Sequence, residues 1–382
     1  MDSKEEELID LVESEEEEKE ERGVERSESK SGSHLGAYKM ALKVTISDNT
    51  SEVFCVRFSP DGKYLAAGCG DGAIRVFNAQ YGNTAYNLQG GSNIALPTTS
   101  IRFRPLNPAI KTKNVLIAAN AAGSVQHWHM TSGKNLHSID DVENHIYALD
   151  YSPDGSKFIT AGKDKSIRVY DETTKAEIVQ MKEGVGYSVS STPGHSNRVF
   201  SVKFVPNDDN LIISGGWDNT VLVWDARIGR AVRSIFGPHI CGDSLDMAGY
   251  EVLTGSWRPE NQLEIFDFRT GNKVADIPWS SSSTNGNQNA CLLYAAQFSK
   301  DPKGRFIAAG GSGTNEAKVF DHSNGNNVLI GTVANMSRGV FALDFSPDGT
   351  KIAVAGGDSS IRILDIYRGG SRGDDYDEQE EK

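Results

Sequence analysis

One ten-residue phrase, repeated along the chain, restricts the fold more than any other feature. Val53-Phe54-Cys55-Val56-Arg57-Phe58-Ser59-Pro60-Asp61-Gly62 returns as Ile146-Tyr147-Ala148-Leu149-Asp150-Tyr151-Ser152-Pro153-Asp154-Gly155. It returns again as Val340-Phe341-Ala342-Leu343-Asp344-Phe345-Ser346-Pro347-Asp348-Gly349. Each copy reads as a strand running into a turn in which proline presets φ and glycine supplies a positive φ. Looser copies end at Phe103, Phe204 and Phe298.

A second phrase follows each copy by about twenty residues: a small-residue strand, a turn carrying Asp or Gly, and a β-branched strand closing on a large apolar residue. The closing positions are Phe77, Trp128, Tyr170, Trp224, Phe266, Phe320 and Leu364, spaced by 51, 42, 54, 42, 54 and 44 residues. A unit of that length cannot bury its own hydrophobic face, so the seven must stack into an array. The uneven spacing falls in connections, which vary at the surface without disturbing the unit.

These phrases resemble the WD-repeat (WD40) family across residues 38–366. The resemblance implies an all-β, seven-bladed WD40 β-propeller with four strands per blade. The fourth repeat is the most complete, with Gly194-His195, Ser214, Asp218 and Trp224-Asp225. The resemblance makes His195, Ser214, Asp218 and Trp224 a buried hydrogen-bonded set, and a buried indole N–H and imidazole each need a partner. The third repeat keeps Thr160, Asp164 and Tyr170, the first has Ala67 in place of the hydroxyl, and the second and fifth have no clear turn aspartate. The last unit lacks an outer strand, whereas Lys39-Met40-Ala41-Leu42-Lys43-Val44-Thr45-Ile46 alternates like a strand without a hairpin partner. This N-terminal strand is therefore expected to complete the last blade and close the ring, which would remove an open sheet edge.

Charge separates the ring from its ends. The chain's formal charge is −13, yet residues 1–36 carry 14 acidic and 5 basic residues, and residues 369–382 carry 6 and 2. Residues 37–368 hold 32 of each sign. The reading is a propeller over 37–368 between disordered acidic tails at 1–36 and 369–382, because such segments bury too little surface to offset ordering entropy. Leu8-Ile9-Asp10-Leu11-Val12 is a short apolar island in the first of them, and its simplest reading is a solvated tail. A neutral ring has no excess charge for phosphates, so nucleic acid is not expected as the main partner. No run is long and apolar enough to span a membrane as a helix. Residues 1–7 are acidic where a secretory signal would be basic and then apolar. Cys55, Cys69, Cys241 and Cys291 form no C-x-x-C pair, so neither a disulfide framework nor a zinc site is indicated. The expected location is cytoplasmic, nuclear or cytoskeletal and ciliary rather than secreted, and the ring is expected to be monomeric within a larger complex.

The family resemblance implies a partner-binding top face at the mouth of a central channel. The position four before each first-strand closing residue gives Phe54, Tyr147, Phe200, Tyr294 and Phe341, with Thr99 as the exception in the second blade; Trp217 and Trp257 sit on turns of the same face. Rigid aromatics there would suit a peptide side chain such as Arg, Lys or Met; the alternative is packing between blades. Three long connections, Gly90 to Pro97, Gly184 to Ser196 and Trp279 to Ala290, fall on that face. A second surface rests on Trp224-Asp225-Ala226-Arg227 and Phe266-Asp267-Phe268-Arg269. These resemble the W-D-x-R element by which WD-repeat substrate receptors dock on cullin-type ubiquitin ligases. The simpler reading pairs Arg227 and Arg269 with their own aspartates. An architectural role in a ciliary, nuclear or RNA-processing assembly is a third reading.

Catalytic chemistry is not expected. Gly68-Cys69-Gly70-Asp71-Gly72 mimics a dinucleotide loop but opens no helix to hold a pyrophosphate. His127 and His129 share a strand face without an evident third ligand, so no metal and no cofactor is expected. The sequence therefore points to a non-enzymatic interaction scaffold that binds proteins or peptide segments, without a small-molecule substrate.

Overall fold

The computed structural model describes residues 38–47, 50–89, 96–108, 112–141, 143–183, 193–279 and 290–369. The tails and most of the three long connections lie outside these residues. So do Leu8-Ile9-Asp10-Leu11-Val12.

The described residues form seven four-stranded antiparallel sheets, each a simple meander except the last. The innermost strands are Val53–Phe58, Thr98–Phe103, Ile146–Tyr151, Val199–Val205, Leu245–Ala248, Leu292–Phe298 and Val340–Phe345. Each touches the innermost strand of the blade before and after it, and the seventh touches the first, so the sheets ring a central channel. The sequence-derived closing residues all lie on the third strands, and Phe77 and Trp224 are fully buried. Apolar clusters sit mainly between sheets rather than within one, as a unit that cannot bury its own face requires.

The last sheet is completed from the other end of the chain. Tyr38–Ile46 pairs antiparallel with Ile361–Arg368, from Tyr38↔Arg368 to Ile46↔Ile361, with one irregularity between Leu42 and Val44. This is the expected closure.

The recurring Ser-Pro-Asp-Gly phrase builds a self-contained turn. The Ser59 hydroxyl donates to Asp61 at 2.6 Å and accepts from the Tyr64 N–H at 3.0 Å, while Asp61 also accepts from the Lys63 N–H. Gly62 sits at φ +69°, in the left-handed region that a side chain resists. Ser152-Asp154 and Ser346-Asp348 repeat the arrangement.

Candidate functional site

The innermost strands place one residue per blade at the channel mouth by a shared device. In the first blade Val53 pairs with Cys69 and Cys55 with Gly68, so Phe54 is the extra residue of a β-bulge. Equivalent register shifts isolate Thr99, Tyr147, Phe200, Tyr294 and Phe341. A bulge turns a side chain out of the pleat, which is why these residues are half-exposed or exposed although their neighbours are buried. The bend demands space on the partner strand: a Cβ on Gly162 would lie 2.0 Å from the carbonyl oxygen of His145, and one on Gly216 would lie 2.1 Å from that of Arg198.

The aromatic residues touch one another in two arcs. Phe54 stacks on Phe341 at 5.6 Å, Phe341 meets Tyr294 edge-on at 5.5 Å, and Trp257 lies 6.4 Å from Tyr294. Across blades 3 and 4, Tyr147 stacks on Phe200 at 4.7 Å, and Phe200 lies 5.1 Å from Trp217. The rings stack, yet Phe54, Trp217 and Trp257 remain 36%, 38% and 39% exposed. Phe54, Tyr147, Phe200, Tyr294 and Phe341 wall a cup of about 430 Å³, with Thr99 and Cys241 at the gaps between the arcs, while Trp217 and Trp257 touch Phe200 and Tyr294 without lining it.

Blade 5 departs from the bulge pattern, and its departure makes the floor. Its innermost strand begins only at Leu245, and the preceding residues carry Asp243 into the channel. Asp243 pairs with Arg57 of blade 1 and, at 3.0 Å, with Arg102 of blade 2. It also accepts from the Ser201 hydroxyl at 3.3 Å and lies 3.8 Å from the Lys203 ammonium of blade 4. Burial pulls the Lys203 ammonium down to about 8, and burial with Arg102 nearby pulls the Arg57 guanidinium down to about 10.

Below Asp243 runs a belt of charge that sequence reasoning missed. The residue just before the last inward position of each innermost strand is, in ring order, Arg57, Arg102, Asp150, Lys203, Asp246, Gln297 and Asp344. Three of these carboxylates each tie their blade to the next. Asp150 accepts from the Phe204 N–H at 3.0 Å, Asp246 from the Phe298 N–H at 2.9 Å, and Asp344 from the Phe58 N–H at 2.7 Å. A charged residue beside the closing aromatic in five of the six repeats whose first strand ends on one was the available signal. Arg57 and Arg102 line both the cup and a wider vestibule of about 810 Å³ at the other end of the channel.

The fourth blade contains the hydrogen-bonded set that the sequence singled out. His195 Nδ1 lies 2.8 Å from Asp218, His195 Nε2 lies 2.6 Å from the Ser214 hydroxyl, and the Trp224 indole N–H donates to that hydroxyl at 2.7 Å. Burial works against the Asp218 carboxylate, but the His195 contact and the Ser196 N–H outweigh it and hold the group below its usual range. His127 and His129 do not converge: His127 is buried against Glu172 at 3.2 Å, and His129 bonds Ser132 at the surface. Among the described residues no group of three or more His, Cys, Asp or Glu is placed to hold a metal ion.

Arg227 and Arg269 lie on neighbouring blades with their side chains 64% exposed. Each bonds its own aspartate, Arg227 to Asp225 at 2.6 Å and Arg269 to Asp267 at 3.0 Å, and Arg269 also lies over the Tyr250 ring.

Comparison with known proteins agrees with this architecture. The family model described as "WD domain, G-beta repeat" matches residues 41–78, 133–171, 186–225 and 327–365. The guanine nucleotide-binding protein subunit beta of Zea mays is 23% identical over 331 residues, covering 84% of this chain and 82% of that protein. Its counterpart from Arabidopsis thaliana is 24% identical over 348 residues, covering 86% and 84%. The APC/C activator protein CDC20 of Saccharomyces cerevisiae is 23% identical over 302 residues, covering 67% of this chain and 47% of that protein.

Proposed function

We propose, from the premise that this chain belongs to the WD-repeat β-propeller family, that it is a non-enzymatic scaffold which captures a partner peptide in the aromatic cup at its channel mouth. The observation that carries this reading is the bulged ring. Six strands each spend a β-bulge to turn one side chain toward the mouth, and five of the six side chains are aromatic. Rigid aromatic area gives binding energy at low entropic cost, and a half-exposed cup leaves that area available. Two relatives support a role among other proteins, since one is named a subunit and the other an activator protein. Affinity purification or proximity labelling with wild type and with a Phe200→Ala, Trp217→Ala variant tests it. Loss of a discrete set of partners is expected, and an unchanged partner list from a folded variant would refute the cup as the docking site.

A second reading, a substrate receptor of a cullin-type ubiquitin ligase, draws on the exposure of Arg227 and Arg269 on adjacent blades. Their pairing with Asp225 and Asp267 accounts for both without a partner. An Arg227→Ala, Arg269→Ala variant that keeps every co-purifying protein eliminates this reading.

A further inference from the structure

We propose that the cup takes an apolar side chain, of the size of Met, Leu or Phe, from a peptide segment whose flanking residues are acidic. This rests on the docking reading above and narrows the class of partner. Aromatic walls alone would also admit an Arg or Lys side chain, so the choice falls to the charges around them.

The floor offers no site for a cation. Among the described residues Asp243 is the one carboxylate lining the cup, and Arg57, Arg102 and Lys203 already surround it. A cationic side chain entering there would meet a carboxylate that is already neutralised, with two guanidiniums beside it. An apolar side chain would bury against Phe200, Tyr294 and Phe341 and ask nothing of the ion pairs beneath.

The rim carries cations without matching carboxylates. Arg198 lies over the Trp217 indole at 5.2 Å, so the most accessible aromatic face of blade 4 already holds a cation. Arg338 is exposed beside Phe341: a Cβ built on Gly357 would touch both, at 3.1 Å and 3.2 Å. Among the described residues neither arginine has a carboxylate partner, whereas the aspartates on nearby turns are matched. Asp71 holds Arg75 at 2.6 Å, Asp164 holds Arg168 at 2.6 Å, and Asp358 holds Arg362 at 2.9 Å. Glu52, next to Phe54, lies on the same arc as Arg338 and offsets one of the two charges, which leaves Arg198 as the excess on the other arc. Residues 90–95, 184–192 and 280–289 contain no Asp, Glu, Lys or Arg. Unpaired guanidiniums flanking an apolar cup match carboxylates flanking an apolar anchor, and they repel a basic segment.

Selection of a phage library of randomised dodecapeptides on the immobilised full chain tests this, followed by fluorescence anisotropy on the most enriched peptide. Peptides with Met, Leu or Phe between Asp and Glu residues should be enriched. An Arg198→Glu, Arg338→Glu variant should bind the selected peptide about tenfold more weakly, since two exposed charge contacts reverse sign, and should enrich basic flanks when selected anew. Equal thermal melting of wild type and variant keeps folding out of the comparison, and Tyr294→Ala serves as a second cup variant should Phe200→Ala melt early. Enrichment of basic peptides on wild type, or binding lost in the cup variant but unmoved by the two glutamates, overturns the charge inference while the cup reading stands. No enrichment over an empty surface, or binding indifferent to Phe200→Ala and Tyr294→Ala, overturns the cup reading itself.

Discussion

Substituting Asp243 by Asn probes the cross-channel tie most directly, because it keeps the shape and removes the charge that Arg57 and Arg102 share. The two arginine side chains are only 7% and 10% exposed, so their charge is largely withdrawn from water. Removing one partner of a fully buried ion pair costs about 3–5 kcal/mol. Two features reduce that figure here. The Asp243 side chain is 25% exposed, and each arginine keeps a second carboxylate, Asp344 at 3.9 Å and Asp150 at 3.2 Å. A loss of about 2 kcal/mol is therefore expected. At about 2.1 cal/mol/K per residue over a ring of roughly 330 residues, unfolding entropy is about 0.7 kcal/mol/K, so Tm should fall by about 3 °C. Urea unfolding followed by tryptophan fluorescence, with calorimetry for Tm, measures both. Arg102→Met and the Asp243→Asn, Arg102→Met pair complete a thermodynamic cycle, in which the double loss should undercut the sum of the singles by about 1 kcal/mol. A variant within about 0.5 kcal/mol of wild type, the scatter of an ordinary surface change, or an additive cycle would refute the idea that Asp243 braces the ring.

Trp224→Phe removes the indole N–H that Ser214 accepts and shrinks a fully buried side chain; urea unfolding should show a loss of about 2 kcal/mol. Deleting residues 1–52 strips the strand that pairs with Ile361–Arg368, and size-exclusion chromatography should then show aggregation, or calorimetry the loss of a single cooperative transition. His127 is held below the usual imidazole range, first by burial, with the Glu172 contact opposing it. Because the unfolded chain binds the proton more readily, this group's contribution is intact above about 6.5 and is lost as pH falls below that value. Wild type should therefore lose more Tm between neutral and mildly acidic pH than a His127→Gln variant does, and equal losses would exclude His127 as the source.

Much of the ring was legible because its signals are local. The Ser-Pro-Asp-Gly turns are written in four residues, and the closing positions from Phe77 to Leu364 mark third strands by their own hydrophobicity. The strand at residues 39–46 could be assigned to the last blade because one unit lacked a strand and one strand lacked a unit. The floor of the cup was not legible in the same way. In blade 5 the turn reads Ala248-Gly249-Tyr250-Glu251 and the first strand ends on Met247 and Ala248 rather than an aromatic, so the ring position at Asp243 went unread. Its meaning depends on Arg57 and Arg102, far away in sequence, and no periodicity reports a contact across a channel. The bulges were hidden for a related reason. A one-residue shift in register changes no residue type, only the direction in which Phe54 or Phe200 points.

The closing strand also has a consequence for the chain during its synthesis. Ile46 pairs with Ile361 and Tyr38 with Arg368, separations of 315 and 330 residues. At about 5–20 residues per second, a ribosome needs some 15–60 s to supply the partner once the strand has emerged. For that interval Tyr38–Ile46 is a bare β-edge among other nascent chains, the situation in which edges seed aggregation. Lys39 and Lys43, both exposed, sit within it, and Lys43 reaches Asp365 at 3.7 Å once the ring is shut. Charges placed inside an edge strand act as gatekeepers against pairing with the wrong chain. The two lysines thus serve first to keep the strand single and afterwards, through Lys43, to help hold it to its partner.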